Sequence, residues 1–182
     1  MKLLFFSDVH GSPESLSLLE KHIDFFKPER LILLGDALYH GPRNSLPDHY
    51  STSETAAWLN QRKNEILAVR GNCDTEVDQM VLQYPMMSEY AFLMADGKHF
   101  FLTHGHHWSP GDLPPLNRDS IFCYGHTHIP DLRRNEDGII LFNPGSITIP
   151  KGGFPASFGF FDGRKIVICN LNDRSELFSL EV

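Results

Sequence analysis

Five apolar runs in this chain each end at a residue able to hold a metal ion. Residues 3–6 lead through Ser7 to Asp8, with His10 two positions on. Residues 31–34 lead through Gly35 to Asp36, and residues 66–69 lead through Arg70 and Gly71 to Asn72. Residues 100–103 end at His104; residues 121–124 lead through Gly125 to His126, with His128 two positions on. One such junction would be ordinary. Five constrain the fold, because ligands of α/β sheets bind beyond the carboxyl ends of strands. The expectation is a set of strand ends converging on one polar site. Its donors are oxygen and nitrogen, with no Cys among them, which suits hard to borderline divalent cations.

The first half of the chain alternates strand and helix. Strands are predicted at 2–6, 30–34 and 66–69. Ser12 caps a first helix with Pro13 at its opening position. Leu16, Leu19, Ile23 and Phe26 recur there at helical spacing, and Lys27-Pro28 ends it. Ser51-Thr52-Ser53-Glu54 reads as a capping box opening a helix that buries Trp58 and Leu59. Asp74 or Thr75 opens a third, with Val77, Met80, Val81 and Tyr84 as its inner face. The second half is different. Asp96-Gly97, Asp137-Gly138 and Asp162-Gly163 each lie between apolar runs, a strong hairpin signal. They join predicted strands 90–95 to 98–103, 132–134 to 139–142 and 157–161 to 165–171. Both halves supply donors and no linker separates them, so residues 1–182 are expected to form one domain.

The formal net charge of -7 argues against an extended nucleic-acid surface, which needs clustered Lys and Arg. A small phosphorylated substrate remains compatible, since bound metal reverses the local field. The three cysteines, Cys73, Cys123 and Cys169, show no Cys-x-x-Cys spacing. They read as inert small residues of a reduced, cytoplasmic protein. The apolar start stops at Ser7-Asp8, short of a signal-peptide core of roughly 7–15 residues, and no stretch reaches the ~18 apolar residues of a membrane span.

The period of two in Asp8-Val9-His10 and His126-Thr127-His128 puts both donors of each pair on one side of an extended segment. Gly35 and Gly71 precede ligands, where a glycine permits a sharp turn. Two Asp, one Asn and four His exceed what one catalytic metal takes from protein. They suffice for two metals sharing a carboxylate, an arrangement that generates hydroxide at neutral pH and clamps a phosphoryl group.

Asp8-x-His10, Gly35-Asp36, Gly71-Asn72-x-Asp74, His104 and Gly125-His126-x-His128 resemble, in order, the motifs of the calcineurin-like metallophosphoesterases. Chain length, Gly41-Pro42-Arg43-Asn44, Asn143-Pro144-Gly145-Ser146 and Pro150-Lys151-Gly152-Gly153 extend the resemblance over most of the chain, toward the small stand-alone bacterial phosphodiesterases of that superfamily. The resemblance implies an α/β fold, a four-layer αββα sandwich of two facing mixed β-sheets flanked by helices. It implies one metal on Asp8, His10, Asp36 and His128, and a second on Asp36, Asn72, His104 and His126, with Asp36 bridging. Mn²⁺ leads as the metal, with Zn²⁺ or Fe as alternatives. The implied reaction is hydrolysis of a small phosphodiester by a metal-bridging hydroxide, without a covalent intermediate. Asp36, Asn72, Asp74 and His104 are placed in the catalytic group, and Arg43, Cys73 and His106 against the substrate. A homo-oligomer is also implied.

One position departs from the commonest superfamily pattern. The motif there reads Gly-Asn-His-Asp, with the His on the substrate phosphate; here it is Gly71-Asn72-Cys73-Asp74. A thiol has a reference pKa of ~8.5 and is a weak donor. It offers no cation to a monoester dianion, so the departure favours diesters. Two rivals stand beside this reading: a scaffold of the same fold, like the retromer subunit that binds proteins, and a nuclease. The intact donor set speaks against the first, and the short acidic chain against the second. Elsewhere, His22 reads as structural, His49 and His99 as surface residues, and His106 as a support of the site or a substrate contact. Arg43 and His40 lie in the loop after Asp36, where Arg43 either binds phosphate through paired donors or makes a loop salt bridge.

Overall fold

In the computed structural model, which describes residues 1–182, strand β1 (Leu3–Phe6) is buried on both faces. Leu3 and Phe5 point into one apolar cluster, Leu4 and Phe6 into another. That double burial is why the run is continuously apolar rather than alternating. β1 pairs in parallel with β2 (Arg30–Leu33), and β2 with β3 (Ile66–Ala68). The connections run through helices α1 (Pro13–Phe26) and α2 (Thr52–Gln61).

Ser12 caps α1 by accepting the Ser15 N–H, Pro13 occupies the first turn, and Lys27 closes it in the left-handed conformation. Leu16, Leu19 and Ile23 are buried against the sheet and Phe26 is half-buried. His22 is buried too: it stacks on Phe158 and bonds the Leu171 carbonyl at 2.7 Å, a structural role. In α2 the Ser51 side chain accepts the Glu54 N–H. The other half of the expected box is replaced, because the Ser51 N–H goes to the Gly11 carbonyl. Leu59 is buried, whereas Trp58 is only half-buried beneath the Arg62 guanidinium.

α3 (Glu76–Val81) corrects the expectation for its inner face. Val77, Met80 and Val81 are exposed. The helix stops after six residues, and the chain then continues without helical period. Leu82, Tyr84 and Met86 alternate into the core with a period of two, a pattern easily mistaken for a longer helix.

All three Asp-Gly hairpins form: β4 (Tyr90–Ala95) with β5 (Lys98–Thr103), β7 (Asp131–Arg134) with β8 (Ile140–Asn143), and β9 (Ser157–Phe161) with β10 (Lys165–Asn170). At the first, Asp96 and Gly97 both have positive φ, of 49° and 75°, as a two-residue loop of this twist requires. β6 is Ile121–Cys123, and β11 (Glu176–Glu181) extends β10 beyond the strands expected from sequence. The first sheet runs β11-β10-β9-β1-β2-β3 and the second β4-β5-β6-β8-β7, both mixed.

The sheets face each other across Leu3, Phe5, Ile32, Phe100, Leu102, Ile121, Phe142 and Phe161. At roughly 1.5–3 kcal/mol per fully buried large apolar side chain, this shared layer holds the two sheets in register. α1 and α2 cover the outer face of the first sheet. The outer face of the second is covered by the loop after β5, through Trp108, Leu113 and Leu116. The fold is thus an αββα-type sandwich with its helices concentrated on one side.

Candidate metal centre

Just past the ends of β1, β2 and β6 the backbone turns left-handed at residues other than glycine. Asp8, His10, Asp36, His126 and His128 have φ of 56°, 49°, 57°, 64° and 60°. Such conformations are uncommon outside glycine and cost roughly 1–3 kcal/mol each, so they persist only where surroundings impose them. Here the loops impose them on one another. Val9 and His10 N–H groups both bond the Asp36 carbonyl at 3.0 Å, and Gly125 N–H bonds the His104 carbonyl at 2.8 Å. The His126 N–H donates to Asp8 Oδ2 at 3.1 Å, tying the two sheets together at the site. Of the two glycines expected to permit a sharp turn, Gly35 has φ 93°, while Gly71 serves by lacking a side chain. A Cβ on Gly71 would lie 2.0 Å from Asp36 Oδ1.

The donors divide into two groups around one carboxylate. His128 Nε2 lies 3.2 Å from Asp8 Oδ1 and 3.3 Å from His10 Nε2. On the other side, Asn72 Oδ1 lies 3.1 Å from His104 Nε2 and 2.7 Å from His126 Nδ1. Asp36 Oδ2 stands between, 3.8 Å from His10 Nε2 and 3.4 Å from His104 Nε2.

Three of the imidazoles are oriented from behind. Nδ1–H of His10, His104 and His128 donates to the carbonyls of Tyr39, Leu34 and Ile149 at 2.7, 2.6 and 2.6 Å. This fixes the tautomer that aims an Nε2 lone pair inward, the usual support of a metal-ligating His. His126 differs, presenting Nδ1. Asp8 Oδ1 is buried without a hydrogen bond, an arrangement that calls for an ion.

The electrostatics carry the same sign. Burial works to raise the Asp36 carboxyl, but the His104 bond and charge and the Cys73 N–H hold it well below the usual carboxylate range. Asp8 is likewise held low against burial by the adjacent His128 imidazole and the nearby His104 charge. Burial lowers His10 and His126. Burial also opposes a charge on His104, yet the Asp36 bond and charge prevail and raise it to about 9. A proton there occupies the place a cation would take. The donor set, its orientation and its net negative charge therefore fit two divalent ions.

The remaining sequence-predicted residues separate. Asp74, expected in the catalytic group, lies against backbone amides. Its Oδ2 accepts from the Asp36 and Gly71 N–H groups at 2.9 and 2.7 Å, and its Oδ1 from Ala37 N–H at 2.9 Å. Both oxygens are committed to the backbone that carries Asp36. Burial and the Asp36 charge raise its pKa to about 6, against these three donors.

Cys73 and Arg43 line a cleft of about 520 Å³ that opens over His10, Asp36, Asn72 and His128. Burial, then the Asp36 charge, pushes the Cys73 thiol up to about 12, so it stays neutral. His106 is not on this cleft wall. It packs behind His104, ring centroids 5.4 Å apart, because Gly105 turns the chain away at φ 109°. His40 contributes its carbonyl to Asn44 rather than a side chain to the cleft.

Two segments that the sequence offered only as part of the resemblance, 143–146 and 150–153, reach the site. Lys151 lines the cleft opposite Arg43's loop, and its N–H bonds the His128 carbonyl at 3.1 Å. Asn143 donates to the Gly125 carbonyl, and Ser146 Oγ to the Asp8 carbonyl, each at 2.8 Å. The Asn143–Ser146 turn thus braces two ligand loops.

Comparison with known proteins agrees with this architecture. Residues 1–165 match the Calcineurin-like phosphoesterase superfamily domain. The chain is 44% identical over 178 residues to Phosphodiesterase YfcE of Escherichia coli K12, covering 96% of this chain and 95% of that one. A solved structure of YfcE, described as a phosphoesterase from E. coli, superposes with a TM-score of 0.97 at 41% identity over the full length of both chains. Vacuolar Protein Sorting 29 of Cryptosporidium parvum shares the fold, with a TM-score of 0.69 at 20% identity over 100% of this chain and 98% of that one. Strand-end donors, sandwich and matched domain lead to one conclusion: the chain belongs to the calcineurin-like phosphoesterase superfamily.

Proposed function

We propose that this protein is a dinuclear metal-dependent phosphodiesterase that hydrolyses a small phosphodiester, with a hydroxide shared by two divalent ions as nucleophile. The observation that carries the reading is the division of buried, inward-aimed donors on either side of Asp36 Oδ2. One ion falls to Asp8, His10, Asp36 and His128, the other to Asp36, Asn72, His104 and His126. The mix of carboxylate, amide and imidazole suits Mn²⁺, with Zn²⁺ and Fe as competitors. When bound, the pair supplies Lewis acidity and a water of lowered pKa.

The chain's own residues do the rest. The backbone carbonyls behind His10, His104 and His128 engage Nδ1 and so aim their Nε2 atoms at the site. Asp74 holds the β2 loop so that Asp36 reaches both sides. Arg43 and Lys151 stand exposed at the cleft mouth, and neither forms a salt bridge. They are free to meet a phosphate oxygen or a charged leaving group. The neutral Cys73 thiol offers no cation to the second charge of a monoester, which supports diester preference. The name of the 44% identical E. coli relative supports the same choice. Three free, buried cysteines suit a reducing compartment, which favours the cytoplasm. No helix is long and apolar enough to cross a membrane.

The test is to strip the protein with chelator, restore Mn²⁺, Zn²⁺ or Fe²⁺ separately, and assay mono-, di- and cyclic phosphoesters. Diester turnover returning with metal, at least ~10-fold above monoester turnover (about 1.4 kcal/mol of barrier), is the expected result. No turnover with any metal would sink the proposal and favour a protein-binding scaffold.

A further inference from the structure

Behind the ligand loops lies a second group of metal-ligating side chains, Glu89, His106 and His107. Glu89 immediately precedes β4, and the two histidines follow His104 in the loop after β5. Arg70 Nη1 donates to Glu89 Oε1 at 3.1 Å and fixes the carboxylate. The other oxygen, Oε2, is buried without a hydrogen bond. His107 Nε2 lies 3.2 Å from it and His106 Nε2 3.8 Å. His106 Nδ1 is also buried and unpartnered. Buried polar atoms left unpaired cost roughly 1–3 kcal/mol each, and their presence in a folded protein calls for an explanation.

We propose that Glu89, His106 and His107 form a third divalent-cation site, distinct from the seven-donor centre and suited to Zn²⁺. Two imidazoles and one carboxylate with the outer side open to water are a zinc-type ligand set. Zinc–ligand distances of ~2.0–2.1 Å place tetrahedral donors about 3.3 Å apart. The Glu89–His107 separation of 3.2 Å already matches that spacing, and His106 needs only a small shift from 3.8 Å. Mg²⁺ and Ca²⁺ prefer a shell of oxygen donors, which this group lacks. A bound cation would pin the start of β4 to the loop that carries His104 and, through Trp108, covers the second sheet.

Equilibrium dialysis of tag-free protein against buffered Zn²⁺, with bound ions counted by elemental analysis, tests the site. The comparison is wild type against His107→Ala and Glu89→Gln. His107 is 56% exposed, so its truncation leaves the fold intact, and the Gln retains an acceptor for Arg70. The expected outcome is one ion per chain fewer in both variants at the same free Zn²⁺, with at least tenfold weaker uptake of that ion. Co²⁺ in place of Zn²⁺ should show the same difference in its visible absorption. Equal uptake by wild type and variants would overturn the site and leave a protonated His107–Glu89 pair in its place. Loss of every ion in the variants would also overturn it, since the cluster would then belong to the main centre. Absence of any bound ion in wild type would defeat both this site and the dinuclear reading.

Discussion

Asp8, Asp36, His104 and His128 are at most 3% exposed, while Arg43 and Lys151 on the same cleft stand in solvent. The first group is held by carbonyls behind the rings, by amides on Asp36 and Asp74, and by left-handed backbone that each loop imposes on the next. The second group has no ion-pair partner. The difference teaches where rigidity is needed. Ligands that must meet a metal within tenths of an ångström are over-determined by their surroundings. Side chains that choose among esters sit on loops and remain adjustable.

The sharpest way to break this contrast is at its centre. Asp36→Asn removes the shared carboxylate charge with almost no change of shape. We expect kcat/KM to fall at least ~10³-fold, about 4 kcal/mol of transition-state stabilisation. The metal-free protein should melt lower than wild type near neutral pH, since a carboxylate held low by His104 and the Cys73 N–H stabilises the fold in its charged form. Retained turnover would remove Asp36 from the bridging role.

One step outward, Asp74→Asn tests positioning without ligation. An amide in place of Oδ2 would confront the Asp36 and Gly71 N–H donors. Metal affinity should drop ~10–100-fold, the usual cost of losing a support behind a ligand, measured by titration of the chelator-stripped protein. Unchanged affinity would return Asp74 to a purely structural account.

At the rim the effects should be smaller and of another kind. Arg43→Ala and Lys151→Ala should each raise KM about tenfold with kcat within about twofold, the signature of lost uniform binding. A fall in kcat instead would place the side chain in the reacting group and dissolve the distinction drawn between wall and rim. The smallest effect belongs to Cys73. Cys73→Ala should retain diester turnover within about threefold, because a neutral thiol contributes little to transition-state charge. Cys73→His should raise the ratio of monoester to diester hydrolysis, and an unchanged ratio would count against the specificity role of this position.

Much of this was legible in the sequence because it depends on local pattern. The apolar runs became strands, and the three Asp-Gly pairs became hairpins. The donors just beyond five strand ends came to lie side by side. Ser12-Pro13 opened a helix where capping chemistry requires. The failures were also local in origin. Val77, Met80 and Val81 looked like an inner helix face because their spacing continues into Tyr84, yet the chain changes period after Val81. Glu54 could not complete its capping box because Gly11, forty residues earlier in the chain (51 − 11), already takes the Ser51 N–H. For His106 the sequence left two places open, a support of the site or a substrate contact, and Gly105 turns it to the first, behind His104.

By itself, then, the sequence determined the kind of chemistry: oxygen and nitrogen donors in number for two ions, set at strand ends, with a thiol where a cation is commoner. Residue type and short-range period are properties of neighbours along the chain, and they survive without a fold. Only the tertiary structure decided which donors face each other across Asp36, that Asp74 serves the backbone, that Lys151 reaches the cleft, and that Glu89 meets His106 and His107. Those are relations between segments tens of residues apart. They exist only once two sheets pack face to face and their loops lock one another into left-handed turns.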